Sequence, residues 1–182
     1  MKTSVMLIPG IGNSGPTHWQ TIWEAKYPNA FRVQQTDWDH PDCDQWVAQL
    51  DDAVRCADHP PVLVAHSLGC LVACKWASLS SWPIKAVLLV AVPDPARRSF
   101  PREASGFSSP TVDIGQRRVV MVSSTDDPFS TTLYSQQCAL AWKAEHISLG
   151  AKGHINADSG LGEWRKGWDI VQRLLSESDE PQ

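Results

Sequence analysis

Six short runs of aliphatic and β-branched residues, separated by segments of helical periodicity, constrain what this chain can fold into more than any other feature. They are Ser4–Ile8, Phe31–Gln35, Val62–His66, Ala86–Val92, Val119–Ser123 and Glu145–Leu149. The two central runs, Val62-Leu63-Val64-Ala65 and Ala86-Val87-Leu88-Leu89-Val90, are apolar throughout instead of alternating. Strands covered by helices on both faces have that composition. Between the runs, Trp19, Ile22, Trp23 and Lys26 share one face of a helix that Pro16 is placed to open. Trp46, Val47, Leu50, Ala53 and Val54 recur at helical spacing after Asp42 or Asp44 as a cap. Leu71, Val72, Lys75 and Trp76 follow the third run, and Leu133, Gln137, Leu140 and Ala141 follow the fifth. Trp164, Trp168, Val171, Leu174 and Leu175 form the last helix. Strand and helix in alternation require right-handed crossovers, so the expected class is α/β, a three-layer doubly wound sandwich on a parallel sheet.

The chain has 182 residues, enough for one domain at about 100–200 residues each. A chain of that size buries roughly 70% of its unfolded surface and needs no disulfide or metal staple. With 42% apolar and 20% charged residues it is composed as a folded globule and not as a disordered segment. The net charge of −4 offers no electropositive field to a phosphate backbone, so nucleic acid is not an expected partner. No apolar stretch approaches the roughly 18 residues of a membrane span. The five Cys (43, 56, 70, 74 and 138) lack paired or metal-binding spacing, and no metal is expected. With too short an apolar run at the start for a signal peptide, the cytoplasm is the expected compartment. The expected domain is 1–176, with 177–182 a frayed tail. Residues 93–117, rich in Pro, Ser, Gly and Arg, exceed an ordinary connection and are a candidate lid or substrate-facing loop.

Chemistry concentrates where the third run ends, at Ala65-His66-Ser67-Leu68-Gly69-Cys70. A buried strand passes into a helix through a Ser flanked two residues away on each side by Ala65 and Gly69. This is the small-x-Ser-x-small form of the nucleophile elbow, in which a strained turn exposes the Ser hydroxyl above the sheet. Small neighbours are required because strand and helix backbones pass so close. A Ser hydroxyl needs a base, itself oriented by an acid, and in this fold they follow in the order Ser, acid, His from loops after later strands. After the fifth run come Asp126 and Asp127, ahead of Pro128; after the sixth comes His154, in Gly153-His154-Ile155-Asn156. The spacing alone leaves both Asp126 and Asp127 as candidates. His146 lies in a run, His40 and His59 lie near turns, and His66 is expected to pack beside the elbow.

Acyl transfer also needs donors for a developing oxyanion. The amide of Leu68, next after the nucleophile, supplies one. The second should come from the loop Pro9-Gly10-Ile11-Gly12-Asn13-Ser14-Gly15, whose glycines permit close backbone approach. The same loop matches G-x-G-x-x-G, which makes a dinucleotide site the alternative. Against that stand the bulky setting of Asp37 and Asp39 around Trp38, and a complete Ser, Asp, His order left unexplained.

In these pieces the chain resembles the family of small α/β-hydrolases that includes bacterial YdeN-type proteins and human retinoblastoma-binding protein nine. The matching residues are Pro9-Gly10, Gly15, His18-Trp19, Asp37-Trp38, Pro41, Trp46, His66-Ser67-Leu68-Gly69-Cys70, Ser124 through Phe129, Gly153 through Asn156, Gly160 and Trp164. The family's Gly before the elbow His is Ala65 here. The resemblance implies nucleophile Ser67, acid Asp127 and base His154, and a minimal α/β-hydrolase fold without a large cap, its six strands ordered 2-1-3-4-5-6. No Cys here sits in the Leu-x-Cys-x-Glu motif behind the human relative's name, so no protein partner is inherited.

The expected activity is hydrolysis of small carboxylic esters by a serine hydrolase, with a peptidase or amidase on the same triad, or an interaction module with a vestigial site, as alternatives. Leu68 and Ile11 are the expected oxyanion donors, Gly12, His18 and Trp38 the candidate substrate pocket. A small-molecule ester or amide is the expected partner, and no cofactor is needed.

Overall fold

The computed structural model describes residues 3–109 and 117–176. The expected tail 177–182 and residues 110–116 of the candidate lid lie outside them. In chain order the elements are β1 (Val5–Ile8), α1 (Trp19–Lys26), β2 (Ala30–Arg32), α2 (Cys43–Arg55), β3 (Val62–His66), α3 (Leu68–Leu79), β4 (Ala86–Val90), β5 (Val119–Ser123), α4 (Thr132–Ala141), β6 (Glu145–Ser148) and α5 (Arg165–Ser176). The six strands form one sheet in the order β2-β1-β3-β4-β5-β6, every neighbouring pair parallel. The expected class and order are those of the structure.

Residues alternate between the two faces of the sheet, and each face is covered. Met6, Ile8, Leu63, Ala65, Val87, Leu89 and Met121 meet Trp46, Leu50 and Val54 of α2, the apolar face of α3, and Cys138 and Ala139 of α4. Val5, Leu7, Val62, Val64, Leu88 and Val122 meet Trp19 and Trp23 of α1 with Trp168, Val171 and Leu174 of α5. This double cover is why β3 and β4 read as unbroken apolar runs. The many Trp serve it: the rings of Trp19 and Trp23 lie 4.6 Å apart, and Trp23 meets Trp168 edge-on at 5.0 Å.

Three local expectations are corrected. The first helix opens after His18, not at Pro16, because the His18 Nδ1 accepts the Gln20 N–H and caps it. The second strand is shorter than Phe31–Gln35, since as an edge strand its pairing with β1 extends only over Ala30–Arg32. On α4 the buried side is Ser135, Cys138 and Ala139, while Leu133 and Leu140 stand 63% and 83% exposed. Small side chains let that helix lie close to the sheet, and the larger ones, which set the sequence periodicity, turn outward.

Among the described residues no helix is long and apolar enough to cross a membrane.

Candidate active site

The carboxyl ends of β3, β5 and β6 deliver three side chains to one place. Ser67 stands between β3 and α3 with φ 55° and ψ −127°, a conformation that costs a non-glycine residue about 1–3 kcal/mol. The turn closes only because Gly69 lacks a side chain: a Cβ there would run into the Ile8 carbonyl and lie 2.7 Å from that of Pro9. The methyl of Ala65, the other flank, is accommodated in the core layer facing α3.

The Ser67 hydroxyl donates to His154 Nε2 at 2.8 Å. Through Nδ1–H, His154 donates to Asp127, 3.0 Å from Oδ1 and 2.9 Å from Oδ2. All three residues are at least nine-tenths buried. Asp127 Oδ1 also accepts the Phe129 N–H at 2.8 Å, which fixes the carboxylate's orientation. The choice between neighbouring aspartates is therefore resolved by direction. Asp126 turns away and accepts from Ser124 Oγ and the Gly153 N–H, each at 2.7 Å. Those bonds hold its carboxyl below its usual range, the Ser124 hydroxyl contributing most, and tie the loop after β5 to the loop carrying His154.

That second loop is strained and braced. Gly153 and Ile155, on either side of His154, have φ 54° and 49°, and a β-branched residue in that region is a true outlier. Ile155 is fully buried, and its carbonyl accepts the Trp19 indole N–H at 2.8 Å. The His154 carbonyl accepts from His66 Nε2–H at 2.9 Å. Burial, then the neighbouring His154 and His18 rings, push the His66 pKa well down, so this imidazole is a neutral donor. Phe129 meets the His154 ring edge-on at 4.6 Å.

The loop after β1 covers the elbow from the other side. A Cβ on Gly10 would lie 2.8 Å from Ser67 Cβ, 3.2 Å from Ser67 Oγ and 3.3 Å from the Leu68 nitrogen. The Gly12 N–H donates to the Trp38 carbonyl at 2.9 Å. Asn13 and Ser14 hold φ of 59° and 41°. Arg32 stabilises that course, donating from one Nη to the Asn13 carbonyl and Oδ1, both at 2.6 Å, and from the other to Thr21 Oγ1 at 2.6 Å. Ser14 Oγ donates to Gln20 Oε1, and Gln20 Nε2 donates to the Val64 carbonyl, so the loop is bonded to the strand that ends at the nucleophile.

A cavity of about 300 Å³ opens between these loops, with Ile11, Gly12, His18, Ser67 and His154 among its lining residues. Pro93 and Pro101, from the described part of the candidate lid, form another part of its wall. That segment is pinned: the Asp94 N–H donates to the Phe129 carbonyl and Ser99 Oγ to that of Pro128. Trp38 is not among the residues lining this cavity; its ring packs on Trp46 at 5.4 Å, and its carbonyl accepts the Gly12 N–H of the loop. The other histidines stand apart, His146 bonded to Ser123 Oγ and His40 beside Asp37.

All five cysteines are free. Burial pushes the Cys43 and Cys138 thiols up to about 11 and Cys70 and Cys74 higher still, which leaves them poor nucleophiles at neutral pH. Among the described residues no group of three or more His, Cys, Asp or Glu is arranged to hold a metal ion.

Sequence reasoning assigned no role to Arg32, Gln20 or Phe129. Phe129 lay within a quoted motif, whereas Arg32 and Gln20 act through contacts that no local pattern announces.

Known structures share this arrangement of chain. A YdeN-like hydrolase from Pectobacterium atrosepticum superposes with a TM-score of 0.83 at 29% identity, over 96% of this chain and 93% of that one. The ydeN gene product of B. subtilis gives 0.78 at 18% identity, over 97% and 100%. The monoacylglycerol lipase of Paleococcus ferrophilus gives 0.68 at 13% identity, over 98% and 97%. The latter two likenesses are of fold alone. Among curated protein sequences nothing matches. The family model described as serine hydrolase matches residues 5–173, which takes in Ser67, Asp127 and His154 alike, and the chain belongs to that family.

Proposed function

We propose that this serine hydrolase cleaves small carboxylic esters through an acyl-enzyme on Ser67. The observation behind this reading is the unbroken chain of hydrogen bonds from Ser67 through His154 to Asp127 at a cavity of about 300 Å³. As Oγ attacks the ester carbonyl, its proton passes to Nε2, and Asp127 holds the imidazole in the tautomer that can receive it while stabilising the imidazolium. His154 then protonates the departing alcohol, and water repeats the sequence to release the acid. The tetrahedral oxyanion lies against the Leu68 amide, with the Ile11 amide as second donor. Support for the Leu68 assignment comes from Gly10, whose bare Cα leaves open the space beside both Ser67 Oγ and the Leu68 nitrogen. The modest cavity, walled by Pro93 and Pro101, favours short acyl groups.

The test is a panel of aryl esters from acetyl through butyryl and octanoyl to palmitoyl, set beside aminoacyl amides. Highest kcat/KM on the short esters is expected. A preference for palmitoyl, or for amides over esters of the same acyl group, would overturn the substrate assignment.

A further inference from the structure

We infer that His18 is a recognition residue whose Nε2–H binds an oxygen on the acyl part of the substrate, so that the site prefers acyl groups bearing an ether, keto or hydroxyl oxygen to plain hydrocarbon of the same shape. This rests on the ester-hydrolase reading above and extends it to the class of acyl group.

The ring's protonation follows from the fold. His18 caps α1 by accepting the Gln20 N–H on Nδ1 at 3.1 Å. That nitrogen therefore carries a lone pair, and the proton of the neutral ring sits on Nε2. Burial, with Arg32 and His154 nearby, lowers the His18 pKa to about 4, so the neutral form prevails at physiological pH. Nε2–H is thus a committed donor. It is shielded from solvent and has no acceptor among the described residues.

Buried donors are as a rule paired, because an unpaired one forfeits its hydration for nothing. The other buried side-chain nitrogen and oxygen atoms without a partner among the described residues belong to Gln35, Arg97 and Trp142. None of those residues lines the cavity that holds Ser67 and His154; His18 does. It stands 3% exposed, its ring 4.7 Å edge-on from His66, which in turn bonds the His154 carbonyl. A bound acyl group occupies this cavity, and an oxygen brought from it up to the His18 ring, within reach of Nε2–H, would satisfy the orphan donor. A methylene at the same place would leave it orphaned. Sites built to hydrogen-bond a substrate discriminate strongly against analogues that lack the bonding atom.

The experiment compares p-nitrophenyl methoxyacetate with p-nitrophenyl butyrate, in which a methylene replaces the ether oxygen. The quantity read is the ratio of their kcat/KM values, in wild type and in His18→Ser, whose hydroxyl retains a cap for the Gln20 N–H but removes the donor. Intrinsic reactivity cancels between the two enzymes. The ratio is expected to fall on the order of five- to tenfold in the variant, the worth of one neutral hydrogen bond. An equal ratio in a folded variant overturns the inference and leaves the hydrolase reading intact. The wild type alone provides a second test: its ratio must exceed that of the two esters' uncatalysed alkaline hydrolysis, and a ratio at or below that value is equally fatal. Turnover of neither ester by folded wild type would take down both readings.

Discussion

Replacing Gly10 by Ala places one methyl group in the space beside Ser67 Oγ and the Leu68 nitrogen that the proposed function assigns to the oxyanion. Built on the present backbone, that methyl would be 3.2 Å from Ser67 Oγ and 3.3 Å from the Leu68 nitrogen. A carbonyl oxygen accepting from the same amide needs about 2.7–3.1 Å, so methyl and oxygen cannot share the space. The methyl would also lie 2.8 Å from Ser67 Cβ, closer than non-bonded carbons tolerate. Relief requires the loop after β1 to withdraw, which carries Ile11 with it. The expected effect is the loss of an oxyanion donor, about 10²–10³-fold in kcat, equivalent to about 2.7–4 kcal/mol of transition-state stabilisation. Overpacking adds a stability cost of about 1–3 kcal/mol. Gly12→Ala is the companion variant. Nothing lies within 4 Å of a Cβ there, but φ is +76°, so it introduces about 1 kcal/mol of backbone strain without filling the oxyanion space. Steady-state hydrolysis of p-nitrophenyl butyrate, with circular dichroism and urea titration to establish folding, separates the two. Folded Gly10→Ala with kcat within threefold of wild type would refute the placement of the oxyanion beside Leu68.

In Asp127→Asn, the Phe129 N–H keeps hold of the remaining oxygen, so the new NH₂ faces His154 Nδ1 and forces the proton onto Nε2. That tautomer cannot receive the Ser67 proton, and kcat should fall about 10⁴-fold. Asn at 126 can still accept from Ser124 and Gly153, so Asp126→Asn should stay within about tenfold; the reverse order in a rate comparison would contradict the assignment. Stability should fall with acid. The folded-state pKa of His18 is lowered from 6.5 to about 4, so the unfolded chain binds its proton first, and stability held above pH 6.5 is lost progressively down to about pH 4. For this one buried group the loss is about 3 kcal/mol, with His66 acting in the same direction. Urea titrations across that range should show a shallower decline for His18→Asn, and parallel declines would count against it.

The parts of this molecule that were legible in sequence are those where cause and effect lie close together in the chain. Ser67 could be found because an elbow needs a buried strand before it, small residues around it and a helix after it, all within nine residues. The interior place of β3 and β4 was legible for a related reason, since double cover forces both to be apolar throughout, while the full strand order came from the resemblance. The bracing of His154 was not. Its carbonyl is held by His66, and its neighbour Ile155 by Trp19, across 88 and 136 residues respectively. The resemblance favoured Asp127 over Asp126, whereas spacing could not, because only the direction of each carboxylate separates neighbours in one turn. Trp38 was one candidate for the substrate pocket from its place in a motif; its ring makes its contact with Trp46. On α4 the pattern of large side chains marked the outward face, since close approach to the sheet selected Ser135, Cys138 and Ala139.

Everything turns on the hydroxyl of Ser67 being activated by His154. Reaction of the folded protein with a fluorophosphonate, followed by intact mass and peptide mapping, tests this directly. One adduct per chain, on the peptide containing Ser67, absent in Ser67→Ala and strongly slowed in His154→Ala, is the predicted result. A folded protein that takes up no label, or one that labels equally well without the Ser67 hydroxyl, would contradict the account.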